Sequence, residues 1–169
     1  WQKLKKIKKK YKYLKIKQNK KNIGQHPSIR EGLKIAEGDL IFILDCDLQD
    51  DPKNFKIFFN SYNKKNETLI GLMSKNSYKK GFVSEFFWIL LNFFSKYKFP
   101  KNITNFTLIS SKQSKRLLKI KKVGFLYGDI CKLNIKVKFL SIKRNKRYLG
   151  KSSYNFFKVF KLAILWMLI

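Results

Sequence analysis

Apolar positions along this chain fall into unbroken runs and into runs with helical spacing, and the two kinds predict strands and helices. Residues 40–44 (LIFIL) and residues 69–73 (LIGLM) are unbroken, which is typical of strands buried in a parallel sheet. Shorter or alternating apolar stretches predict three further strands, over residues 13–17, 106–109 and 135–142.

The first predicted helix precedes the strand at residues 40–44. Pro27 can begin it, and Ile29, Leu33 and Ala36 follow at helical spacing. Gly38 would cap its C-terminus, because glycine readily adopts the left-handed conformation in which helices end.

The second predicted helix follows the same strand. Asp51 has the character of an N-cap, and Pro52 suits the first helical position. The apolar face of this helix consists of Phe55, Phe58, Phe59 and Tyr62. A short helix is also expected over residues 114–119. Strands that alternate with helices in this way predict an α/β fold.

Residues 82–97 differ from the rest because nearly all positions are apolar or aromatic and lysines flank both ends. Two interpretations stay open. The segment is a helix buried in the core, or it is a helix in a membrane interface, with aromatic side chains inserted and lysines at the headgroups. Pro100 would end the helix in either case.

The chain ends inside another apolar run, residues 162–169 (LAILWMLI). This run is shorter than the roughly 20 residues that span a bilayer, so it is either the first turns of a transmembrane helix or a core helix. Lys151, Lys158 and Lys161 precede it, which favours the transmembrane interpretation. We therefore divide the chain into a domain over residues 1–153 and a juxtamembrane segment with the start of a transmembrane helix over residues 154–169.

The chain has 39 Lys and Arg residues against 10 Asp and Glu residues, a formal net charge of +29. Nearly all the basic residues are lysines, and Lys, Asn, Ile and Phe are abundant together, as an AT-rich coding sequence would produce. Coding bias is the favoured explanation, and an anionic membrane surface comes second. Nucleic acid comes last, because readers of nucleic acid rely on arginine and no signature of such a domain is present.

Acidic residues cluster directly after the strand at residues 40–44, in residues 45–52 (DCDLQDDP). The cluster therefore lies at the carboxyl end of a strand, where open α/β sheets bind ligands. Asp45 and Asp47 are two positions apart, so their carboxylates project to one side if the chain stays extended. Together with the amide oxygen of Gln49 they are hard ligands suited to Mg²⁺ or Mn²⁺.

Several motifs give the chain a family resemblance. They are residues 22–26 (NIGQH), 31–33 (EGL), 36–39 (AEGD), 45–52 (DCDLQDDP) and, about 95 residues further on, 147–154 (RYLGKSSY). In order and spacing they resemble glycosyltransferase family 2. Within this family the chain is similar to the polyprenyl-phosphate branch, which includes dolichol-phosphate mannose synthase and bacterial undecaprenyl-phosphate sugar transferases.

The resemblance implies a GT-A (Rossmann-like) sheet that binds a nucleotide-sugar, with a divalent metal, Mg²⁺ or Mn²⁺, between the acidic motif and the donor diphosphate. By matching position, Asp45, Asp47 and Asn105 would be catalytic, and Asp47 and Gln49 would be metal ligands. The implied nucleotide-sugar contacts are Asn22, Gly24, Gln25 and Asp45. The implied phosphate contacts are Arg144, Arg147, Lys151, Ser152, Ser153 and Tyr154, although the two serines could equally cap the following helix.

The sequence departs from the family pattern at one motif and lacks the family's beginning. Many relatives have Asp-Phe-Arg where residues 105–107 read NFT, and Asn105 can neither act as a base nor carry charge. The family's first strand and base-binding acid would lie upstream of Trp1. We therefore expect a fragment cut at both ends, N-terminally incomplete in its GT-A domain and inactive by itself.

The favoured function is metal-assisted transfer of a sugar from a nucleotide-sugar to a polyprenyl phosphate, for cell-surface glycan synthesis. The expected location is the cytoplasmic face of the bacterial inner membrane, with a possible homo-oligomer and no nucleic-acid partner. Two alternatives stay open: a family 2 transferase that acts on a saccharide acceptor, and a non-enzymatic basic module that binds lipid or nucleic acid.

Overall fold

The computed structural model describes residues 1–47, 49–63, 68–74 and 82–145. Its helices are α1 Gln2–Lys10, α2 Gln25–Ile35, α3 Phe55–Ser61, α4 Phe82–Phe94, α5 Ser111–Leu118 and α6 Leu126–Lys132. A single 3₁₀ turn, Pro52–Asn54, leads into α3. Its strands are β1 Leu40–Ile43, β2 Thr68–Met73, β3 Ile103–Ser110 and β4 Val137–Ile142.

The strands form one mixed sheet in the order β1-β3-β2-β4. β3 is antiparallel to both β1 and β2, whereas β4 is parallel to β2. β1, β2 and β4 therefore run in the same direction, and their carboxyl ends lie at one end of the sheet. A parallel partner was expected for both unbroken apolar runs. That expectation is confirmed for β2 and wrong for β1, because an apolar run reports burial and not the direction of the neighbouring strand.

Two hydrophobic clusters cover the two faces of the sheet. Neighbouring residues of one strand belong to different clusters, as Leu108 and Ile109 of β3 show, because side chains alternate between faces. One cluster receives side chains from α2, α5 and α6, and the other receives Phe58 from α3. The described part of the chain is thus a sheet between helices, which confirms the α/β prediction.

Two expectations for the N-terminal part of the chain are wrong. Residues 13–17 form no strand. They follow α1, which was not predicted, and their lysines form ion pairs with α2 and the residues after it, Lys17 with Glu31 and Lys15 with Glu37. Leu14 and Ile16 are partly buried while Lys15 and Lys17 are exposed, and this alternation gives the same sequence pattern as a strand. The predicted cap at Gly38 is also wrong, because α2 ends at Ile35 and its C-cap is Ala36 in an extended conformation.

The aromatic segment is helical, as predicted, but it ends at Phe94 and not at Pro100. α4 is not enclosed by the core. Leu91 is fully buried, whereas Phe86, Ile89, Phe93 and Phe94 are between 49% and 79% exposed. Among the described residues, no helix has both the length and the apolar character needed to cross a membrane. The juxtamembrane and transmembrane assignment for residues 154–169 concerns a segment outside the described residues.

Candidate active site

The acidic motif lies at the end of the sheet where β1, β2 and β4 finish. Asp45 follows β1, and the register that pairs Ile43 with Thr107 places Asn105 of β3 opposite it. The Asn105 amide nitrogen is 3.5 Å from both carboxylate oxygens of Asp45. The Gln25 side chain, from the first residue of α2, donates a 2.8 Å hydrogen bond to Asp45 Oδ1. Two predicted site residues, distant from each other in sequence, therefore converge on the carboxylate of a third, Asp45.

Arg144, two residues beyond β4, reaches the same carboxylate from the opposite edge of the sheet. Its Nη2 atom is 3.6 Å from Asp45 Oδ2, and its Nε atom is 3.1 Å from Asp50 Oδ1. Backbone contacts join the same two segments. Asp50 and Arg144 form an isolated antiparallel bridge, and the Asn145 amide donates to the Gln49 carbonyl at 2.8 Å. The segment after β1, residues 45–47 and 49–51, is called the acidic loop. Through these contacts it connects the end of β1 with the end of β4.

Asp47 does not extend β1, contrary to the expectation that Asp45 and Asp47 project together from an extended chain. β1 ends at Ile43, and residues 46–47 form a turn. The Asp47 carboxylate accepts a hydrogen bond from the backbone amide of Gln49 at 3.2 Å, a local contact that stabilises the turn. The predicted cap at Asp51 is confirmed, because its carboxylate accepts from the Lys53 amide at 2.9 Å, although the element that it begins is the 3₁₀ turn before α3.

Asp47 and Gln49 fit a hard divalent cation in the chemistry of their donor atoms, a carboxylate and an amide oxygen. The Gln49 amide nitrogen lies 3.4 Å from the Asn145 carbonyl, so Oε1 is the atom of this amide that would act as a ligand. Among the described residues, no three acidic, histidine or cysteine side chains form a metal cage. Proteins commonly hold Mg²⁺ with one or two carboxylates while substrate phosphates complete the shell.

Asp50 is fully buried, and burial raises the pKa of its carboxyl group above the ordinary value. The nearby Arg144 guanidinium lowers the pKa, while the negative charges of Asp45 and Asp47 raise it further. No role for Asp50 was predicted, because nothing in residues 45–52 distinguishes it from the partly buried acids beside it.

The predicted nucleotide-sugar contacts lie at the start of α2. Gly24 has φ of 87°, a left-handed conformation that favours glycine, and its backbone amide donates a 2.9 Å hydrogen bond to Asn22 Oδ1. Of this group, Gln25 is the residue in contact with the acidic loop. The predicted phosphate contacts Arg147, Lys151, Ser152, Ser153 and Tyr154 lie outside the described residues.

Two further features of the structure were not predicted from the sequence. Arg30 of α2 and Asp129 of α6 form a buried ion pair at 2.6 Å, which ties two helices together beneath the sheet. A cleft of about 360 Å³ lies beside it, between the residues that follow α4 and the start of α6, and is lined by Phe94, Phe99 and Phe125 among others. No residue of the acidic loop lines this cleft, so the acidic loop remains the candidate active site.

A mixed α/β sheet that gathers carboxylates, amides and an arginine at one end is compatible with the GT-A architecture of glycosyltransferases. Residues 1–117 match the family model of "Glycosyl transferase family 2". The chain belongs to glycosyl transferase family 2.

Curated relatives agree with this assignment. The chain is 20% identical over 155 residues to an uncharacterized glycosyltransferase of Synechocystis sp., covering 89% of this chain and 49% of that protein. It is 24% identical over 148 residues to the uncharacterized glycosyltransferase YkcC of Bacillus subtilis, covering 85% and 46%. It is 26% identical over 148 residues to a prophage bactoprenol glucosyl transferase homolog of Escherichia coli, covering 85% and 48%. The chain thus spans about half the length of the curated relatives it matches.

Proposed function

We propose that the protein transfers a sugar from a nucleotide-sugar to a polyprenyl phosphate at the cytoplasmic face of a membrane. The observation that carries this proposal is the set of side chains around Asp45. Its described partners are two amides, Gln25 and Asn105, and the guanidinium of Arg144. None of the three can accept a proton at neutral pH.

The carboxylates of Asp45 and Asp47 are the nearby groups that could accept a proton, and an acceptor that is already ionised requires neither of them as a base. A sugar hydroxyl must lose a proton as it attacks, and a positioned base normally accepts it. A lipid phosphate is already ionised at pH 7. One of its oxygens can form the new bond to the anomeric carbon while the bond from that carbon to the donor diphosphate breaks. The electron pair leaves with the nucleoside diphosphate, and no proton has to move.

The chain's own residues then act by binding and by charge. Gln25 and Asn105 orient the Asp45 carboxylate. Asp47 and Gln49 would hold a divalent cation, which when bound neutralises charge on the departing diphosphate. By the family resemblance, Arg147 and Lys151 would supply further positive charge toward the phosphates, since arginine suits bidentate contacts with phosphate.

The lipid acceptor agrees with two further observations. One relative is named as a bactoprenol glucosyl transferase homolog, and bactoprenol is a polyprenyl lipid. In addition, α4 exposes Ile89 and Phe93, and Lys96 and Lys98 follow its C-terminus. A helix of this character suits a membrane interface, where apolar side chains enter the acyl region and lysines contact headgroups.

Sugar transfer is tested with the protein at its full natural length in membranes. It is given radiolabelled UDP- or GDP-linked hexoses, undecaprenyl phosphate and Mn²⁺, and label is measured in the organic phase. We expect labelled lipid with at least one donor, and a loss of about 100-fold or more in Asp47→Ala. Asp39→Ala is the matched control, since this exposed acid lies at the other end of β1 and should leave transfer unchanged.

Two results would contradict the proposal. Label that enters a saccharide acceptor and never the organic phase would assign the enzyme to the alternative acceptor class. Full transfer by Asp47→Ala would refute the assignment of Asp47 as a metal ligand.

Membrane association is tested separately by sedimentation with vesicles of phosphatidylglycerol and phosphatidylethanolamine. We expect the double variant Ile89→Ser/Phe93→Ser to bind the vesicles several-fold more weakly than the natural protein. Phe59→Ser is the control, because Phe59 is 54% exposed but lies on α3. Equal losses in the two variants would mean that α4 is not the contact surface.

A further inference from the structure

The residues that follow β4 contact the acidic loop through both backbone and side-chain atoms. The Asn145 amide donates to the Gln49 carbonyl at 2.8 Å, and the Gln49 side chain lies 3.4 Å from the Asn145 carbonyl. Asp50 and Arg144 form a backbone bridge. These residues are about 95 positions apart in sequence, so the junction is tertiary and joins the acidic motif to the residues that follow β4.

A bidentate ion pair stands at the centre of this junction. Arg144 Nε is 3.1 Å from Asp50 Oδ1, and Nη2 is 3.4 Å from Asp50 Oδ2. The Asp50 side chain is 0% exposed and that of Arg144 is 19% exposed. A buried carboxylate is strongly unfavourable unless a cation pairs with it, so Asp50 holds Arg144 at this position.

The same guanidinium also lies beside Asp45, at 3.6 Å from Oδ2. Arg144 therefore spans a fully buried acid on one side and a proposed catalytic acid on the other. Its charge is shared between two carboxylates, which reduces what it can offer to a phosphate. The contacts suit a positioning task for Arg144, in addition to the phosphate contact that the family resemblance implies.

We propose that Asp50 is a positioning residue which, through Arg144, locks the acidic loop to the end of β4. The lock fixes the loop that carries Asp45, Asp47 and Gln49. It also holds the end of β4 beside this loop, next to the donor diphosphate of the proposed site. The identity of the diphosphate in this inference rests on the proposed function. The lock, meaning the attachment of the acidic loop to the end of β4 through Asp50 and Arg144, rests on the contacts alone.

The test compares Asp50→Asn, Arg144→Gln and the double variant Asp50→Asn/Arg144→Gln. Each single variant leaves one charge of the pair uncompensated, whereas the double variant is neutral at both positions. A merely structural pair predicts that the double variant regains both thermal stability and transfer. The lock predicts that the double variant regains stability above the single variants while kcat stays about 10–100-fold below the natural protein, with a smaller change in KM for the donor.

Hydrogen exchange gives a second readout that needs no substrate. The Asn145 amide should be protected in the natural protein and should exchange at least tenfold faster in the double variant, because the bridge to the acidic loop loosens. The control is Lys15→Gln/Glu37→Gln, which removes an exposed ion pair away from the site and should change neither readout.

The outcomes separate this inference from the proposed function. Unchanged protection of Asn145 in the double variant, or transfer at the natural rate, would overturn the lock. If the natural protein transfers sugar only to a saccharide, the proposed acceptor fails, and the same kcat comparison on that acceptor still decides the role of Asp50. If no transfer is found, the exchange measurement alone confirms or refutes the lock.

Discussion

Two arginine–aspartate pairs in this molecule look alike in sequence and differ in their surroundings. Arg30 and Asp129 are 2.6 Å apart, with side chains 6% and 1% exposed. Arg30 also donates to the Leu117 carbonyl, and Asp129 accepts from the Gly124 amide at 3.1 Å. Arg144 and Asp50 are 3.1 Å apart at the nearest atoms, and the arginine is partly exposed and also lies beside Asp45.

This difference distinguishes the Arg30–Asp129 pair, which connects α2 with α6, from the Arg144–Asp50 pair, which lies in the candidate active site. The charges of Arg30 and Asp129 are enclosed by groups of the core, so their arrangement has no reason to change when a ligand binds. Arg144 has two acidic neighbours, and its side chain is 19% exposed whereas that of Arg30 is 6% exposed. Buried ion pairs are weak indicators of function by themselves, and the second acid, Asp45, is what distinguishes Arg144.

The largest expected effect comes from removing one charge of the buried Arg30–Asp129 pair, which is called the core pair below. Asp129→Asn leaves Arg30 buried without its counter-charge, so we expect the free energy of unfolding to fall by about 3–5 kcal/mol. Denaturant unfolding at pH 7 measures this change. Glu31→Gln is the matched control, because it removes a carboxylate that pairs with Lys17 and Lys34 at the surface, and the loss should be much smaller. Equal losses in the two variants would contradict the distinction.

The second effect concerns His26, which packs edge-on against Phe125 beside the core pair. Burial lowers the pKa of His26 from 6.5 to about 4, with Asp129 opposing this shift and Arg30 adding to it. Because the folded pKa is lower than the unfolded pKa, protonation favours the unfolded state. The stability that this residue contributes is complete above pH 6.5 and is lost as the pH falls to about 4, a loss of about 3 kcal/mol.

His26→Gln isolates this contribution, since other acidic groups also titrate in that range. The unfolding free energy of the natural protein should fall more steeply between pH 6.5 and pH 4 than that of the variant. Parallel curves would show that His26 is not protected from protonation by the fold.

Local patterns in the sequence predicted the elements that local forces determine. The apolar runs of β1 and β2, the spacing of Ile29 and Leu33 in α2, and the cap at Asp51 depend on neighbours within a few residues. The position of the acidic motif at the carboxyl end of β1 followed from the same patterns. The family assignment also came from sequence, since its motifs are continuous stretches.

The contacts that build the site could not be predicted in this way. Asn105 meets Asp45 across 60 residues, and Arg144 meets Asp50 across 94, so both contacts depend on strand order and register. Hydrophobic periodicity contains neither the direction of β1 relative to β3 nor the pairing of β2 with β4. The burial of Asp50 was hidden for the same reason, because the end of β4 covers it.

A smaller loss of stability is expected when the Arg144–Asp50 pair is broken. Arg144→Gln leaves Asp50 buried without its cation, but Asp50 can become neutral by taking up a proton because burial already raises its pKa, so we expect a loss of about 1–2 kcal/mol in the free energy of unfolding. The same denaturant titration as for Asp129→Asn gives a direct comparison. A loss as large as that of Asp129→Asn would place both pairs in the same structural class and remove the contrast between them.

The smallest effect tests how the core pair is supported. Ser110 begins α5 with a capping box, in which its side chain accepts from the Gln113 amide while the Gln113 side chain accepts from the Ser110 amide. α5 also carries the Leu117 carbonyl that accepts from Arg30. Ser110→Ala should cost about 1 kcal/mol, and Ser110→Thr, which keeps the hydroxyl, should cost less. Because both changes act on one unit, Ser110→Ala with Asp129→Asn should be non-additive, whereas Ser110→Ala with Arg144→Gln should be additive within about 0.5 kcal/mol. Additivity in both combinations would show that α5 does not support the core pair.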